Sequence, residues 1–274
     1  MAKVTIALVQ TDPGPDKAAN LERAFALIDE AAAAGADWIA LPETFHQRAP
    51  SARKLADAEP IPGPLSEALA AAAARHGVWL FAGSFDERTP EPGKTSNTSL
   101  VFDPEGRQVA AYRKIHLFDV TLDGQVRSRE SERIVPGDAV VACETPLGPV
   151  GLTICYDLRF PELFRALAVR GAIATFVPSN FTVPTGRDHW EPLLRARAIE
   201  NGQYVIAAAT IGGGGESGFV AYGRSLVVDP WGTVLVCAPD EVGVSFARID
   251  NERIRRVRRA LPSLEHRRPD VYDR

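Results

Sequence analysis

The sequence has few of the residues and runs that mark secreted, membrane-spanning or metal-dependent proteins. Its 274 residues include only 3 cysteines, an odd number that cannot form a disulfide framework and that favours reduced thiols in the cytoplasm. No apolar run approaches the ~20 residues needed to span a bilayer. The N-terminal segment is interpreted as a first strand and not as a signal peptide. The cysteines and the 5 histidines show no metal-ligand spacing, so no metal is predicted.

Motifs that bind phosphate or present a serine nucleophile are also missing. No glycine-rich loop has Walker or dinucleotide spacing, and residues 212–215 are interpreted as a flexible surface loop. There is no GxSxG turn, and no cofactor is predicted. The net charge of −4 gives no general attraction to nucleic acid or to a membrane surface. An arginine-rich segment from Asn251 onward leaves a nucleic-acid-binding or partner-binding role open as an alternative.

Glycine marks the organisation of the chain. Four helix-like segments end in a glycine that is followed at once by a β-type apolar run, at Gly35, Gly77, Gly171 and Gly202. Glycine adopts the left-handed conformation that ends many helices without a Cβ penalty. The clearest helix extends from Asp16, a candidate N-cap, to Ala34. Strands that alternate with helices predict an α/β fold.

The pattern also repeats. Residues 99–106 and 225–232 each combine a strand, a proline-containing turn and a returning strand, which indicates a β-hairpin. Val4–Val9 and Val150–Ile154 then open two similar β-α-β-α-β-hairpin halves. We expect the halves to pack sheet on sheet inside a single domain, residues 1–274. The polar connection 113–139 has no clear periodicity, and long connections of this kind are often functional.

Cys155 is a candidate nucleophile. The pattern places it at the end of a strand, just before a helix that begins near Pro161. We expect the helix N-terminus and Arg159 to favour its thiolate. A buried cysteine that serves only as a small apolar side chain is an equal alternative. Cys143 and Cys237 lie within strand-like runs, and both are predicted to belong to the core.

Two charged residues follow other predicted strands. Glu43 comes directly after a buried run, where a carboxylate is a candidate general base. Lys114 follows the returning strand of the first hairpin, where an ammonium could stabilise an oxyanion. Taken alone, a solvated loop carboxylate and a lysine at a strand edge are the commoner interpretations.

In this order, Glu43, Lys114 and Cys155 resemble the Glu-Lys-Cys triad of the nitrilase, or carbon–nitrogen hydrolase, superfamily. The resemblance covers essentially the whole chain and is most specific at residues 41–43, 112–119, 155–162, 189–200 and 228–232. These segments look like the branch that contains omega-amidase and deaminated glutathione amidase. The resemblance implies a four-layer α-β-β-α sandwich that forms a homodimer, or a higher homo-oligomer, through an α-face.

The resemblance also implies a mechanism. Cys155 would attack the carbonyl of a small carboxylate-bearing amide, such as an α-keto acid ω-amide, while Glu43 accepts the thiol proton. Lys114 and the backbone N–H of Tyr156 would stabilise the oxyanion, and a thioester would form as ammonia leaves. Glu130 matches the segment that carries an additional active-site glutamate in this family.

Substrate-side residues follow from the same resemblance. Arg159 is a candidate for a substrate carboxylate, with a structural salt bridge as the equal alternative. Phe181 and Thr182 match the acyl-pocket loop. Asp188 and Arg224 depart from the family pattern, and we expect them to reshape the mouth of the pocket.

Three other functions stay open at this point. A nitrilase or an N-carbamoyl amidohydrolase would use the same triad on a different bond. A Cys-His acyl hydrolase would instead pair Cys155 with His116 or His189. A binding module would use the arginine-rich tail and would not need a reactive cysteine.

Overall fold

The structure, a computed structural model, describes residues 3–122, 126–214 and 219–272. The strands of the first half and of the connection are β1 (Lys3–Gln10), β2 (Trp38–Ala40), β3 (Trp79–Phe81), β4 (Phe85–Arg88), β5 (Thr95–Phe102), β6 (Gln108–Arg113), β7 (Asp119–Leu122) and β8 (Val126–Arg129). The remaining strands are β9 (Ala142–Thr145), β10 (Gly148–Leu152), β11 (Ala174–Phe176), β12 (Tyr204–Ala207), β13 (Ile211–Gly214), β14 (Phe219–Tyr222), β15 (Leu226–Val228), β16 (Val234–Cys237) and β17 (Gly243–Asp250). The helices are α1 (Lys17–Ala33), α2 (Ser51–Asp57), α3 (Pro64–His76), α4 (Pro161–Val169), α5 (Val183–Asn201), α6 (Asn251–Ala260) and α7 (Pro269–Tyr272), and two 3-10 turns cover Glu130–Glu132 and Cys155–Arg159.

Two large sheets carry the predicted repeat. The first has the order β17-β1-β2-β3-β5-β4, with β6 paired to β5, and the second has the order β16-β15-β12-β11-β10-β9. In each sheet three parallel strands, β1-β2-β3 or β10-β11-β12, are joined to an antiparallel hairpin, β5–β6 or β15–β16. The prediction of two equivalent halves is therefore confirmed.

The two sheets pack face to face between two layers of helix. The rings of Phe81 in the first sheet and Phe176 in the second are stacked 3.6 Å apart between their centroids. On β1, Leu8 belongs to this inner core while Ala7 faces the helices, as the period of two along a strand requires. Helices α1 and α3 cover the first sheet, and α4 and α5 cover the second. The structure confirms the α-β-β-α sandwich.

The four predicted helix stops are confirmed. Their backbone φ angles are all positive, +87° at Gly35, +63° at Gly77, +93° at Gly171 and +55° at Gly202. The N-cap is also confirmed, because the Asp16 carboxylate accepts a hydrogen bond from the backbone N–H of Ala19. Each stop turns the chain directly into a parallel strand, β2, β3, β11 or β12.

Two of these predictions are corrected by the structure, and a third is confirmed. Residues 212–214 belong to strand β13 and are not a flexible loop, because their backbone pairs with β14; residue 215 lies outside the described residues. Cys237 is exposed and not in the core, because β16 is the edge strand of its sheet and alternates its side chains between core and solvent. Cys143 is buried as predicted.

The connection 113–139 is more regular than predicted. Strands β7 and β8 pair as an antiparallel hairpin, and the 3-10 turn at Glu130–Glu132 follows it directly. In the part of the chain that the structure describes, no helix is long and apolar enough to cross a bilayer.

Candidate active site

Glu43, Lys114 and Cys155 meet at the same end of the sandwich. Glu43 follows β2 and forms an isolated bridge with Ser84, Lys114 follows β6, and Cys155 begins the 3-10 turn after β10. All three side chains are buried, and all three line one cavity. The structure therefore brings together the three residues that the sequence singled out from separate strands.

The Glu43 carboxylate is held by three donors. Its Oε1 atom accepts hydrogen bonds from Asn97 Nδ2 at 2.9 Å and from Lys114 Nζ at 3.1 Å. Its Oε2 atom accepts one from the backbone N–H of Asn180 at 2.8 Å. A buried carboxylate needs such partners to keep its charge, and together they fix the direction of both oxygens.

The Lys114 ammonium lies between two carboxylates. Besides Glu43, it contacts Glu130 through Oε1 at 3.3 Å and Oε2 at 3.0 Å. Burial disfavours its charge, but Glu130 and Glu43 outweigh this cost and raise the pKa of Lys114 well above its usual value. Burial likewise opposes the charge of Glu130, but Lys114 and the backbone N–H of Phe118 lower the pKa of Glu130. The site thus holds a fixed cation at any pH near neutrality.

The Cys155 thiol is protonated in this environment. Burial, followed by the charge of the adjacent Glu43 carboxylate, raises the pKa of Cys155 well above its usual value, and Lys114 opposes this only in part. The prediction that the helix N-terminus and Arg159 favour the thiolate is therefore wrong. A base must remove the proton when the sulfur attacks, and Glu43 is the carboxylate in contact with it.

The turn that carries Cys155 is fixed by its own neighbours. The residue has a φ of +49°, a left-handed conformation that costs about 1–2 kcal/mol for a residue with a Cβ. Its backbone N–H donates to the carbonyl of Pro178 at 2.9 Å. Two residues on, the fully buried Asp157 accepts hydrogen bonds from the backbone N–H of Ile154 at 2.8 Å and from the Tyr112 hydroxyl at 2.6 Å.

The predicted substrate-side residues line the same cavity, whose volume is about 960 Å³. Tyr156, Arg159, Phe181 and Thr182 form one of its walls. The Arg159 guanidinium lies 5.9 Å from the ring centre of Tyr156 and 5.6 Å from that of Phe181. No carboxylate of the described residues lies within ion-pair distance of Arg159, so the salt-bridge alternative is not what the structure shows.

Several residues singled out by the sequence lie away from the cavity. The His116 Nδ1 atom contacts Asp157 at 2.8 Å, and His189 Nδ1 lies 3.4 Å from an Arg159 nitrogen. Neither histidine lines the cavity, and neither do Asp188 and Arg224. Arg224 instead forms an ion pair with Asp240 at the surface. The expectation that Asp188 and Arg224 shape the mouth of the pocket is therefore wrong.

Sequence reasoning missed Asn97 and Asn180. Asn97 orients Glu43 through its side chain, and its backbone carbonyl accepts the N–H of Lys114 at 2.9 Å. Asn97 lies in an entirely buried strand in which polar residues are frequent. The amide of Asn97 within this run is the sequence feature that could have pointed to its role. Asn180 acts through its backbone N–H, and a backbone contact of this kind cannot be predicted from the type of side chain.

Cations predominate around the cavity. Among the described lining residues, six are basic and three are acidic: Lys54, Lys114, Arg127, Arg129, Arg133 and Arg159, against Glu43, Glu130 and Glu132. No group of three or more histidine, cysteine or acidic side chains in the described ranges could hold a metal ion. A nucleophile, a carboxylate and a fixed ammonium in one cationic cavity are suited to acyl transfer from an anionic substrate.

Comparisons with known proteins agree with this geometry. The carbon–nitrogen hydrolase family model matches residues 5–259. The chain is 42% identical to omega-amidase NIT2 of Xenopus tropicalis over 272 residues, covering 99% of this chain and 98% of the relative. It is 44% identical to human deaminated glutathione amidase, covering 97% and 83%. The crystal structure of the C. elegans NitFhit protein superposes with a TM-score of 0.91 at 36% identity, over 99% of this chain and 66% of that longer one.

Proposed function

The chain belongs to the carbon–nitrogen hydrolase family and is a hydrolase of carbon–nitrogen bonds other than peptide bonds. From this premise we propose that it hydrolyses the amide of a small carboxylate-bearing acid, preferentially an α-keto acid ω-amide, through a thioester on Cys155. One observation carries the proposal. The buried thiol shares a cavity with a carboxylate and an ammonium that lie 3.1 Å apart.

Each step of the proposed reaction has a residue suited to it. Cys155 attacks the amide carbonyl as Glu43 takes the thiol proton, and Lys114 with the backbone N–H of Tyr156 stabilises the oxyanion. Glu43 then gives the proton to the departing ammonia, and the carbonyl re-forms as a thioester. Glu43 next takes a proton from water, which attacks the thioester and restores the thiol. Glu130 holds Lys114 in place throughout.

The cationic wall supports a carboxylate on the substrate. Arg159 has no acidic partner in the described chain and points a planar donor fork beside Tyr156 and Phe181. We propose that it binds the substrate carboxylate, while Phe181 and Thr182 contact the acyl chain. Two relatives are named for amides of this kind, an omega-amidase and a deaminated glutathione amidase.

A panel of compounds tests this proposal. We expect ammonia release from α-keto acid ω-amides to exceed that from nitriles and N-carbamoyl amino acids of matched length. Peptide mass spectrometry after brief incubation should find an acyl adduct on the Cys155 peptide. Because Cys237 is exposed, the experiment uses a Cys237→Ser background. Faster turnover of nitriles or carbamoyl compounds would assign the alternative activities of the same family, and an adduct on another residue would refute the mechanism.

Asn97 supplies a prediction about the positioning of the base. Asn97→Ala removes one donor from Glu43 and leaves its Oε1 with Lys114 alone. We expect kcat to fall by about 10–100-fold with little change in KM, since one hydrogen bond to a charged group is worth roughly 1.5–3 kcal/mol. Asn97→Asp adds a repelling carboxylate and should be worse than alanine. If KM rises and kcat is kept, Asn97 acts on binding and not on Glu43.

Assembly and location complete the proposal. We propose a cytoplasmic homodimer that consists of one carbon–nitrogen hydrolase domain per chain, without nucleic-acid or membrane partners. Exposed apolar side chains on the helical layer over the second sheet support a subunit contact there: Val169 on α4, Ile199 on α5 and Trp231 beside them. Sedimentation equilibrium should give twice the chain mass, and a monomer at micromolar concentration would refute the dimer.

A further inference from the structure

Asp157 is a fully buried carboxylate that has no step of its own in the proposed mechanism. It lies in the 3-10 turn that begins at Cys155, and its four hydrogen-bond contacts are all with donors. Its Oδ1 atom accepts the backbone N–H of His116 at 3.1 Å and His116 Nδ1 at 2.8 Å. Its Oδ2 atom accepts the Tyr112 hydroxyl at 2.6 Å and the backbone N–H of Ile154 at 2.8 Å. Because a carboxylate only accepts, the Nδ1 atom of His116 carries its proton.

Two of these donor residues flank Lys114 in the chain. Tyr112 precedes Lys114 by two positions, and His116 follows it by two. The Tyr112 hydroxyl also accepts the backbone N–H of Ile115 at 3.4 Å, which closes the turn around Lys114. Burial, followed by the charge of Asp157, raises the pKa of Tyr112, so the hydroxyl keeps the proton that it donates. One carboxylate therefore holds the backbone on both sides of Lys114.

The same carboxylate closes the turn of the nucleophile. Ile154 and Asp157 lie on either side of Cys155, and the hydrogen bond between them spans the turn. The backbone N–H of Tyr156, which the proposed mechanism assigns to the oxyanion, belongs to this turn as well. The φ of +49° at Cys155 is disfavoured for a residue with a Cβ, so the turn needs contacts of this kind to hold it.

Aromatic rings join the same two segments. The imidazole of His116 stacks on the ring of Phe160, with centres 3.6 Å apart and planes 7° apart. The Phe118 and Tyr156 rings meet edge to face at 5.1 Å, and Tyr156 meets Phe160 in the same way at 5.4 Å. Asp157 adds hydrogen bonds to a charged group, which are stronger and more directional than these ring contacts.

We propose that Asp157 is a positioning residue that fixes the two oxyanion donors relative to each other. One donor, Lys114, comes from the segment after β6, and the other, the N–H of Tyr156, comes from the turn after β10. These strands belong to different sheets, so pairing within a sheet does not set the distance between the donors. Asp157 does not line the cavity and acts through the residues around it. The inference rests on the proposed function, because that function assigns the oxyanion donors.

An aldehyde analogue of the substrate measures the oxyanion site. Glutaric semialdehyde carries one carboxylate and has an aldehyde in place of the amide. The Cys155 sulfur adds to the carbonyl carbon, the π electrons move to the oxygen, and Glu43 takes the thiol proton; no group leaves. We expect Asp157→Asn, which turns donor hydrogens toward donors, to weaken this adduct by about 100-fold, the usual effect of misplacing a group by about 1 Å. The kcat of the best amide should fall by a similar factor, with little change in KM.

Two further measurements show whether the loss is confined to the oxyanion site. Glutarate forms no oxyanion, and its affinity in Asp157→Asn should stay within about threefold of the parental value. Iodoacetamide alkylates Cys155 by displacing iodide as Glu43 takes the thiol proton, and it forms no oxyanion either. Its rate, measured in a Cys237→Ser background, should fall by less than about tenfold. A residue that only supports the fold would affect the aldehyde, glutarate and iodoacetamide alike.

Milder substitutions serve if Asp157→Asn does not fold. Tyr112→Phe and His116→Ala each remove one side-chain donor, and each should weaken the aldehyde adduct by about tenfold. His116→Asn keeps an N–H donor near the position of Nδ1 and should recover most of that loss. Tyr204→Phe is the matched control, because the buried Tyr204 hydroxyl contacts the backbone of Asp250 and does not line the cavity. It should bind the aldehyde as the parent does.

The outcomes separate failure of this inference from failure of the proposed function. A parent enzyme that forms the adduct, with an affinity that Asp157→Asn and Tyr112→Phe leave unchanged, would overturn the positioning role and keep the function. Equal losses for the aldehyde, glutarate and iodoacetamide in Tyr112→Phe would also overturn the positioning role. A parent enzyme that binds glutarate but forms no adduct at Cys155 would refute the proposed function and the inference with it.

Discussion

Cys155→Ala is expected to lower kcat for the best amide by at least about ten-thousandfold. In the proposed mechanism the Cys155 sulfur is the only protein atom that forms a covalent bond to the substrate. Without it, the remaining groups can only polarise the carbonyl. The cavity should keep its affinity for substrate, because Glu43, Lys114 and Arg159 are unaltered. Loss of one buried sulfur should cost the fold only about 1 kcal/mol. Initial rates of ammonia release and the unfolding midpoint in urea measure the two effects separately.

The other two cysteines serve as controls for this experiment. Cys143→Ala removes a buried thiol from β9, and Cys237→Ser changes an exposed one on β16; neither residue lines the cavity. Both variants should retain kcat within about threefold of the parent, since most substitutions away from a site alter stability and not chemistry. A Cys155→Ala enzyme that keeps a tenth or more of the parental kcat would exclude covalent catalysis at this residue.

The sequence predicted which strands precede the site residues, because the ends of helices and strands are determined by residues close by in the chain. Glycines 35, 77, 171 and 202 each end a helix at a left-handed residue, and the next residues enter a parallel strand. Glu43 lies just beyond one such strand, β2, whereas Cys155 lies just beyond β10, which follows β9 and not a helix, and Lys114 lies just beyond a hairpin strand. The strand pattern did not predict that these groups meet, because β2 and β10 belong to different sheets; that expectation came from the resemblance to the Glu-Lys-Cys triad.

The remaining features depend on contacts between distant segments. Asn97 reaches Glu43 across 54 positions of the chain, and Asp86 reaches Lys54 only after α2 has packed against β4. The protonated state of Cys155 reflects burial and the nearness of Glu43, neither of which is encoded in the residues around it. Cys237 was misplaced because strand periodicity fixes which side chains share a face but not whether that face is covered.

Lys114→Met is expected to be the most destabilising single change at the site, at about 3–5 kcal/mol near neutral pH. The substitution removes the cation that both Glu43 and Glu130 contact and leaves two carboxylates facing each other in a buried position. It should also lower kcat by about 100–1,000-fold, the usual cost of losing one donor to an oxyanion. Lys94→Met, which breaks an exposed pair with Glu91, should cost less than about 1 kcal/mol.

The pH dependence of this loss identifies its electrostatic origin. In the parent enzyme the pKa of Glu130 lies below the ordinary value of 4.5, so its ionised form adds stability that is present above that value and is lost as the pH falls through the lowered pKa. Without Lys114, burial and Glu43 should raise the pKa of Glu130, and the resulting destabilisation should fade as the pH falls from about 7 toward 5 because the carboxyl takes up a proton. Urea unfolding of parent and variant at both pH values measures the change.

Adding Glu130→Gln to Lys114→Met should recover at least about 1 kcal/mol near neutral pH, since it removes one of the two unpaired charges. A deficit that is the same at both pH values, and that Glu130→Gln does not relieve, would mean that Lys114 stabilises the fold by packing and not by its charge.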